Sequence, residues 1–349
     1  VSKTMKIILS VVGLFVALIA VSIGYLYFQF SPLMENAPPD YVVKNYIEEK
    51  YGFEIDIIET RTYGMGASPE FIVSPETDED IRFNVIVDSS DHSVIEDDYS
   101  YALEADKEFQ KLKTVIPVIE EMGFTGEEHP DIRLNYNYES ISLILMDHEG
   151  INFKMFAPDG LDRYYALYQL IVESQADLDN IVIADESSPY SLDLFMEPLA
   201  AAKNKEEFLT ILKTYHPLIV SHELVRQLQD EAAAIENERF YFGNQFAKEH
   251  GDDEDPWLHC IEVSETAECT SAHITITYQE GGFTSSNLYF AEDLETIFDF
   301  ISTHVEPEIR VELLSLEADD LSGDSLEIGY EDRMKYENVN ELIAFLLNK

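Results

Sequence analysis

The chain is 349 residues long, with 22 basic and 69 acidic residues for a formal net charge of −47. So negative a chain repels nucleic acid and anionic lipid surfaces at long range, and no basic patch interrupts it, which excludes nucleic-acid partners. With 46% hydrophobic residues, 20 Tyr and 20 Phe among them, it holds enough apolar surface for a packed core rather than a disordered acidic tail.

Ile7 to Phe28 is an uncharged apolar run. At about 1.5 Å per residue it spans roughly 33 Å, the thickness of a bilayer's hydrocarbon core, so residues 7–28 are expected to take the lipid bilayer as partner. Lys3 and Lys6 precede the run and the next basic residue is Lys44. The positive-inside bias therefore predicts a single-pass cell-membrane protein with a cytoplasmic N-terminus and an extracytoplasmic C-terminal bulk. Tyr25, Tyr27, Phe28 and Phe30 suit the outer headgroup layer, and Pro32, Pro38 and Pro39 stop the helix. A cleaved secretory signal is the competing reading, but its apolar region is usually shorter, and only Ser22-Ile23-Gly24 resembles a cleavage site. Residues 1–37 are thus read as anchor and linker, and the acidic charge beyond them as a solvated exported surface, with a cation or a basic partner as the sharper alternative.

The periodicity of residues 38–128 predicts a helix over Asp40–Tyr51, about three strands at 53–63, 70–73 and 81–87, then a long helix from Asp97 to Met122 kinked or divided by Pro117. Over 129–216 it predicts strands at 132–138, 140–146 and 151–156, with His148-Glu-Gly150 as a hairpin turn. A helix from Leu161 to Glu173, strands at 180–184 and 191–196 and a helix over Lys205–Tyr215 follow. Residues 217–256 read as a helical connector opened by Pro217. The C-terminal unit, 257–349, shows strands at 257–263, 270–278, 288–290, 309–316 and 326–330 and helices at 294–304 and 339–347. Short polar turns favour antiparallel meanders, so the expected fold class is α+β: an N-terminal transmembrane helix followed by repeated small antiparallel sheets packed with helices. Two internal echoes support the repetition. Phe156-Ala-Pro-Asp-Gly-Leu161 matches Phe290-Ala-Glu-Asp-Leu294, each with an Asp placed to cap a helix, and Val43–Gly52 matches Phe242–Gly251.

Cys260 and Cys269 are the only cysteines, and a hairpin centred between Ser264 and Glu265 sets them directly opposite each other. In an oxidising compartment that arrangement predicts a structural cross-strand disulfide, with two free thiols as the alternative. Their spacing is unlike a redox Cys-x-x-Cys.

Tyr46-Ile-Glu-Glu-Lys-Tyr-Gly52 after a spanning segment and linker, then Phe83-Asn-Val-Ile-Val-Asp88 and Asp98-Tyr99 entering a helix, resembles the YfjL-like uncharacterised membrane-anchored proteins of Gram-positive bacteria. The resemblance covers roughly residues 1–125 and implies location and architecture; it brings no activity or site residues with it.

Signatures of chemistry are sparse. His222-Glu223 would begin a His-Glu-x-x-His zinc motif, but Arg226 stands at the second His position, which leaves an exposed polar pair on a helix. His259 with Cys260 and His273 would make a mixed metal site only with reduced cysteines, and strand alternation sends His259 and Cys260 to opposite faces. Asp252–Asp255, and Asp319-Asp320 with Gly323-Asp324, are acidic loops without the alternating ligands of a calcium loop. Gly64-x-Gly66 lacks a third glycine, and no nucleophile elbow or phosphate loop occurs. Tyr164, Tyr165, Leu167, Tyr168 and Ile171 fall at helical spacing and read as core with polar tips. No catalytic, cofactor-binding or metal residue is assigned and no cofactor is implied. The expected role is a non-catalytic binding or interaction module of the cell envelope, with an envelope protein or a cation as partner. The alternatives are an envelope hydrolase using carboxylates, and a calcium-dependent structural protein.

Overall fold

A computed structural model describes residues 40–62, 67–126, 132–137, 140–156, 160–185, 190–243, 255–278, 287–306, 308–318, 325–336 and 338–347. The expected anchor at 7–28, the Gly64-x-Gly66 break and most of the Phe242–Gly251 half of the second echo lie outside these residues. Among the described residues no helix is long and apolar enough to cross a membrane. They divide into two compact units, one reaching Gln110 and including Leu134–Ile141, the other formed by Lys111–Arg133 and Ser142–Lys349.

In the first unit, helix α1 (Asp40–Tyr51) buries Val43 and Ile47, four residues apart and so on one face. Gly52, at φ 79°, then turns the chain out through the left-handed region that ends helices. Strands β1 (Ile55–Arg61), β2 (Glu70–Pro75), β3 (Phe83–Val87) and β4 (Val94–Asp97) form an antiparallel meander in chain order. Alternation directs Phe71, Val73, Phe83, Val85 and Val87 to one side, where they meet Val43 and Ile47 of α1 and Ala102 of α2 (Tyr99–Leu112). The fourth strand is one more than the sequence pattern indicates. Helix α3 (Ile116–Glu121) opens after α2 with Pro117 in its first turn, where the missing N–H costs nothing, so proline divides the helical stretch as expected. The short strand β6 (Leu134–Tyr136) belongs to the first unit, and its Tyr136 hydroxyl donates to the carbonyl of Arg82 at 2.6 Å.

The second unit overturns the expectation of antiparallel meanders throughout. One sheet runs β5 (Phe124–Gly126), β7 (Ile141–Asp147), β8 (Asn180–Ala184), β9 (Leu192–Phe195), and its central β7–β8 pair is parallel. The other runs β10 (Phe240–Phe242), β12 (Cys269–Tyr278), β13 (Arg310–Ala318), β14 (Ser325–Gly329), and its central β12–β13 pair is parallel too. Strand β11 (Leu258–Val263) pairs antiparallel with β12. The reason is that each strand before a parallel pair is followed by a crossover helix, α4 (Leu161–Ser174) or α8 (Phe290–Phe300), which returns the chain to start the next strand in the same direction. His148-Glu-Gly150 therefore opens no hairpin. The expected strand at 151–156 is instead a 3₁₀ turn, Phe153–Met155, capped by Asn152, and the expected strand at 288–290 is the approach to α8. The helix expected as a connector is α7 (Pro217–Ile235), which buries Ile219, Val220 and Ala232; Val220 and Ala232 belong to the core of the C-terminal sheet. Helices α5 (Met196–Leu199), α6 (Lys205–Tyr215), α9 (Tyr330–Lys335) and α10 (Val339–Leu346) complete the unit.

The two mixed sheets match residue by residue at one point. Phe124 of β5 stands opposite Asp147 of β7, and Phe240 of β10 stands opposite Tyr278 of β12. From Asp147 a bond runs to the crossover helix: the Tyr164 hydroxyl donates to it at 2.7 Å, while Arg163 donates at 2.8 and 3.0 Å. At Tyr278 the roles are exchanged, since its hydroxyl donates to Asp293 of α8, which also receives Arg239 at 2.5 and 2.8 Å. Phe156 stacks on Tyr164 and Phe290 packs edge-on against Tyr278, so the first echo marks equivalent places. Its Asp293 is no helix cap, because the carboxylate is spent on Arg239 and Tyr278. A third carboxylate of the same kind, Asp97 in the first unit, accepts from Tyr46, Tyr51 and Lys50, each at 2.6 Å.

Cys260 and Cys269 form a disulfide with Cα atoms 5.7 Å apart. The register is not the expected one: Cys260 stands opposite Ala272 and Cys269 opposite Val263, with two irregularities in β11 between Cys260 and Val263 absorbing the offset.

Asp147→Asn should lower stability by about 3 kcal/mol in urea titrations, because it leaves a largely buried guanidinium facing a neutral group. Glu59→Gln, which breaks the exposed Arg61 pair, should leave the midpoint unchanged. Equal behaviour of the two variants would show that the buried clamp holds nothing. Alkylation of the denatured, unreduced chain should add no mass at Cys260 or Cys269, and reduction should cost about 2–3 kcal/mol for a loop of this size.

Candidate functional site

An open cleft of about 980 Å³ lies beside the second half of α4, within the second unit. Tyr165, Tyr168 and Glu173 of α4, then Asp177 and Asp179 leading to β8, form one wall, and Phe195, Met196 and Glu197 at the β9–α5 junction form the other. The helical spacing explains the wall. Leu161, Tyr164, Leu167, Tyr168 and Ile171 are buried along one stripe of α4, and the neighbouring positions Tyr165, Val172 and Glu173 reach the cleft. The aromatic series read as core therefore splits, with Tyr165 and Tyr168 at the boundary between core and cleft. The chain leaves α4 through Gln175, at φ 60°, a left-handed turn that starts the acidic segment Asp177–Asp179.

The aromatic part of the α4 wall is held firmly. Phe208 of α6 lies 5.1 Å from the Tyr165 ring and 5.2 Å from the Tyr168 ring, and the Tyr168 hydroxyl donates to the carbonyl of Leu199 at 2.9 Å. Burial raises the Tyr168 phenol above its ordinary range, so it stays neutral and keeps donating. Phe195 rests on Tyr215 with centroids 5.1 Å apart. The lining also includes four carboxylates, Glu173, Asp177, Asp179 and Glu197, and one lysine, Lys203, all of them exposed.

A second group of titratable side chains occupies the polar face of the C-terminal sheet. His259 of β11 and His273 of β12 are directly opposite each other. His259 Nε2 lies 2.9 Å from Asp255 Oδ1, and His273 Nε2 lies 2.8 Å from Ser315 Oγ. The hydrogen bond from His259 holds Asp255 below its ordinary value against the pull of burial, with help from the more distant His222 and His273. Burial and the neighbouring His259 push His273 down, while burial and Asp255 push Glu317 up. His222 is buried in α7 rather than exposed, and its neighbour Glu223 pairs with Lys213 at 2.6 Å, so no zinc motif forms there. Cys260 is committed to its disulfide, which removes the mixed His–Cys site.

The Ser315–His273 contact offers a hydroxyl next to a base, but Ser315 is buried in the middle of β13. Paired strands on both sides of β13 take up the backbone donors that an oxyanion would need. Among the described residues no group of three or more His, Cys, Asp or Glu is arranged to hold a metal ion. Of the acidic loops named from sequence, only Asp255 lies within the described residues. The cleft itself was missed from sequence because its walls lie some thirty residues apart and carry no motif; the acidic Asp177–Asp179 turn after an aromatic helix was the available signal. No family model, curated protein or solved structure matches the chain.

The histidines give the fold a pH dependence. His273 and His216 are both shifted below their ordinary 6.5 by burial, so the unfolded chain binds protons that the folded one does not. Their contribution to stability is present above pH 6.5 and is lost as pH falls below it. Glu317, shifted up from 4.5, acts in the opposite direction in more acid solution. The melting temperature should fall between pH 7.5 and 5.5, and His273→Gln should flatten that slope; an unchanged slope would place the titration elsewhere.

Proposed function

We propose that this chain is a membrane-anchored extracytoplasmic binding module of the cell envelope, of the YfjL-like kind, which holds its ligand in the cleft between α4 and the β9–α5 junction. The anchor reading rests on the uncharged run from Ile7 to Phe28 with Lys3 and Lys6 before it. The binding reading rests on one observation: an open cleft of about 980 Å³ whose lining includes Tyr165 and Tyr168, braced by Phe208 and the Leu199 carbonyl. A concave surface on which aromatic rings and several polar groups converge is where a ligand site is sought first. The collection of four carboxylates on one cleft supports a second reading, an envelope hydrolase in which two of them act as acid and base.

The experiment combines location and binding. Full-length protein should pellet with membranes, and its C-terminal bulk should be digested by protease added to intact cells; protection of that bulk would overturn the orientation. A thermal-shift screen of envelope polymers, peptides and amines should return a stabilising ligand whose effect disappears in Tyr165→Ala while the unliganded melting temperature stays within a few degrees. A ligand that stabilises both forms equally would move the site away from the cleft, and turnover lost on a single Glu→Gln change would favour the hydrolase.

A further inference from the structure

Two histidines face each other where the chain enters β11, and they give the C-terminal sheet a segment that acid can free. We propose that residues 255–259 form an acid-released strap that lifts from β12 when His273 takes up a proton. His259 of the strap stands directly opposite His273, and like charges so placed on paired strands repel. Asp255 Oδ1 already lies 2.9 Å from His259 Nε2, while His273 has the neutral Ser315 hydroxyl at 2.8 Å. The other charged or titratable groups around the pair come from three elements: Glu317 of β13, Glu327 of β14, which stands opposite Ser315, and His222 of α7. Burial and His259 resist a proton on His273 more than Glu327 and Asp255 favour it. Release opens His273 to water and carries His259 away, which removes both resisting effects and gives up only Asp255, the weakest of the four. Acid therefore favours the released form. Glu317, pushed up by burial and Asp255, opposes release only in more acid solution.

The way the segment is tied limits what moves. Among the described strands β11 pairs with β12 alone, so lifting its start breaks a single ladder. Movement stops at Cys260, which the disulfide ties to Cys269 of β12 and whose N–H donates to the Ser221 hydroxyl of α7 at 2.8 Å. Ahead of that point the hold includes the pairs of Leu258 with Ile274 and His259 with His273, and the bond from the Thr275 N–H to the Trp257 carbonyl at 2.8 Å. The Trp257 ring lies 4.8 Å from Phe242 and 6.1 Å from Phe300. Its indole N–H is buried without a hydrogen-bond partner, so release gives it water and offsets part of the loss of exposing the ring. Asp255 and His259, bonded within the strap itself, leave together.

One histidine with an ordinary value of 6.5 can raise an opening equilibrium by at most about tenfold between pH 7.5 and 5.5. The test is hydrogen exchange of the full chain in neutral detergent, each rate referred to the intrinsic rate at the same pH. Opening of residues 257–259 and 273–275 should rise roughly three- to tenfold over that interval, and opening of the β13–β14 ladder should change less than twofold. His273→Gln keeps a donor for Ser315 but takes up no proton, so it should abolish the rise. His259→Gln should reduce the rise, because His273 then meets no charge across the ladder. No rise in the folded wild-type chain would overturn the proposal. A rise shared equally by the β13–β14 ladder would show general loosening of the sheet and overturn the strap. A full rise in His273→Gln would overturn the trigger; should that variant not fold, a full rise in His259→Gln would do so instead.

Discussion

Both described units hang on a buried carboxylate that accepts from a tyrosine hydroxyl and a cation. Asp97 ties α1 to β4, Asp147 ties β7 to α4, and Asp293 ties α8 to β12 and to the segment before β10. A lone ionised carboxylate taken out of water costs several kcal/mol, which a cation alone repays only with good geometry. Here two or more donors converge on each one, so the charge is neutralised and its lone pairs are used. Burial alone would raise Asp97, yet the bonds from Lys50, Tyr46 and Tyr51 hold it below the ordinary carboxylate range. Burial, and after it the bonds to Asp147 and Asp293, hold the phenols Tyr164 and Tyr278 well above their ordinary range.

The two mixed sheets show that this bond tolerates exchange of its ends. Asp147 and Tyr278 hold corresponding places in their ladders, and each bonds to the crossover helix that follows it, Asp147 to Tyr164 and Tyr278 to Asp293. An O–H···O⁻ bond closes the same gap whichever side supplies the proton, so the tie between strand and crossover helix persists while both residues differ. Arginine arrives by a different route in each case, from α4 as Arg163 and from the residue before β10 as Arg239. Only the position relative to the carboxylate matters to the electrostatics. In a chain with 22 basic residues against 69 acidic ones, the arginines placed in these clamps are well used, and exposed pairs such as Arg61 with Glu59 add little.

The cleft follows from the same architecture. Crossover helix α4 buries one stripe, and the residues beside that stripe, Tyr165 and Glu173 among them, line the cleft together with the β9–α5 junction. Phe208 and the Leu199 carbonyl brace the rings. A concave surface lined by aromatic and acidic side chains is the outcome.

What the sequence by itself determined was local. Periodicity placed α1, α4, α6 and most strands, because each buries one face and so writes its period into the chain; Pro117 placed the break between α2 and α3. It also indicated that Cys260 and Cys269 would meet, since a hairpin brings near neighbours together. Strand direction was decided only in the tertiary structure. A turn such as His148-Glu-Gly150 has the same composition whether it leads into a hairpin or a crossover, and pairing energy depends on where the returning helix lands. The disulfide register was likewise settled by irregularities in β11 that no residue type announces. The expected strands at 151–156 and 288–290 gave way to helical turns because Phe153, Phe156 and Phe290 bury their rings beside the crossover helices rather than in a ladder. The cleft and the clamps were out of reach for a simpler reason. Their members lie tens of residues apart, and one acidic residue in 69 looks like any other until folding decides which of them is buried.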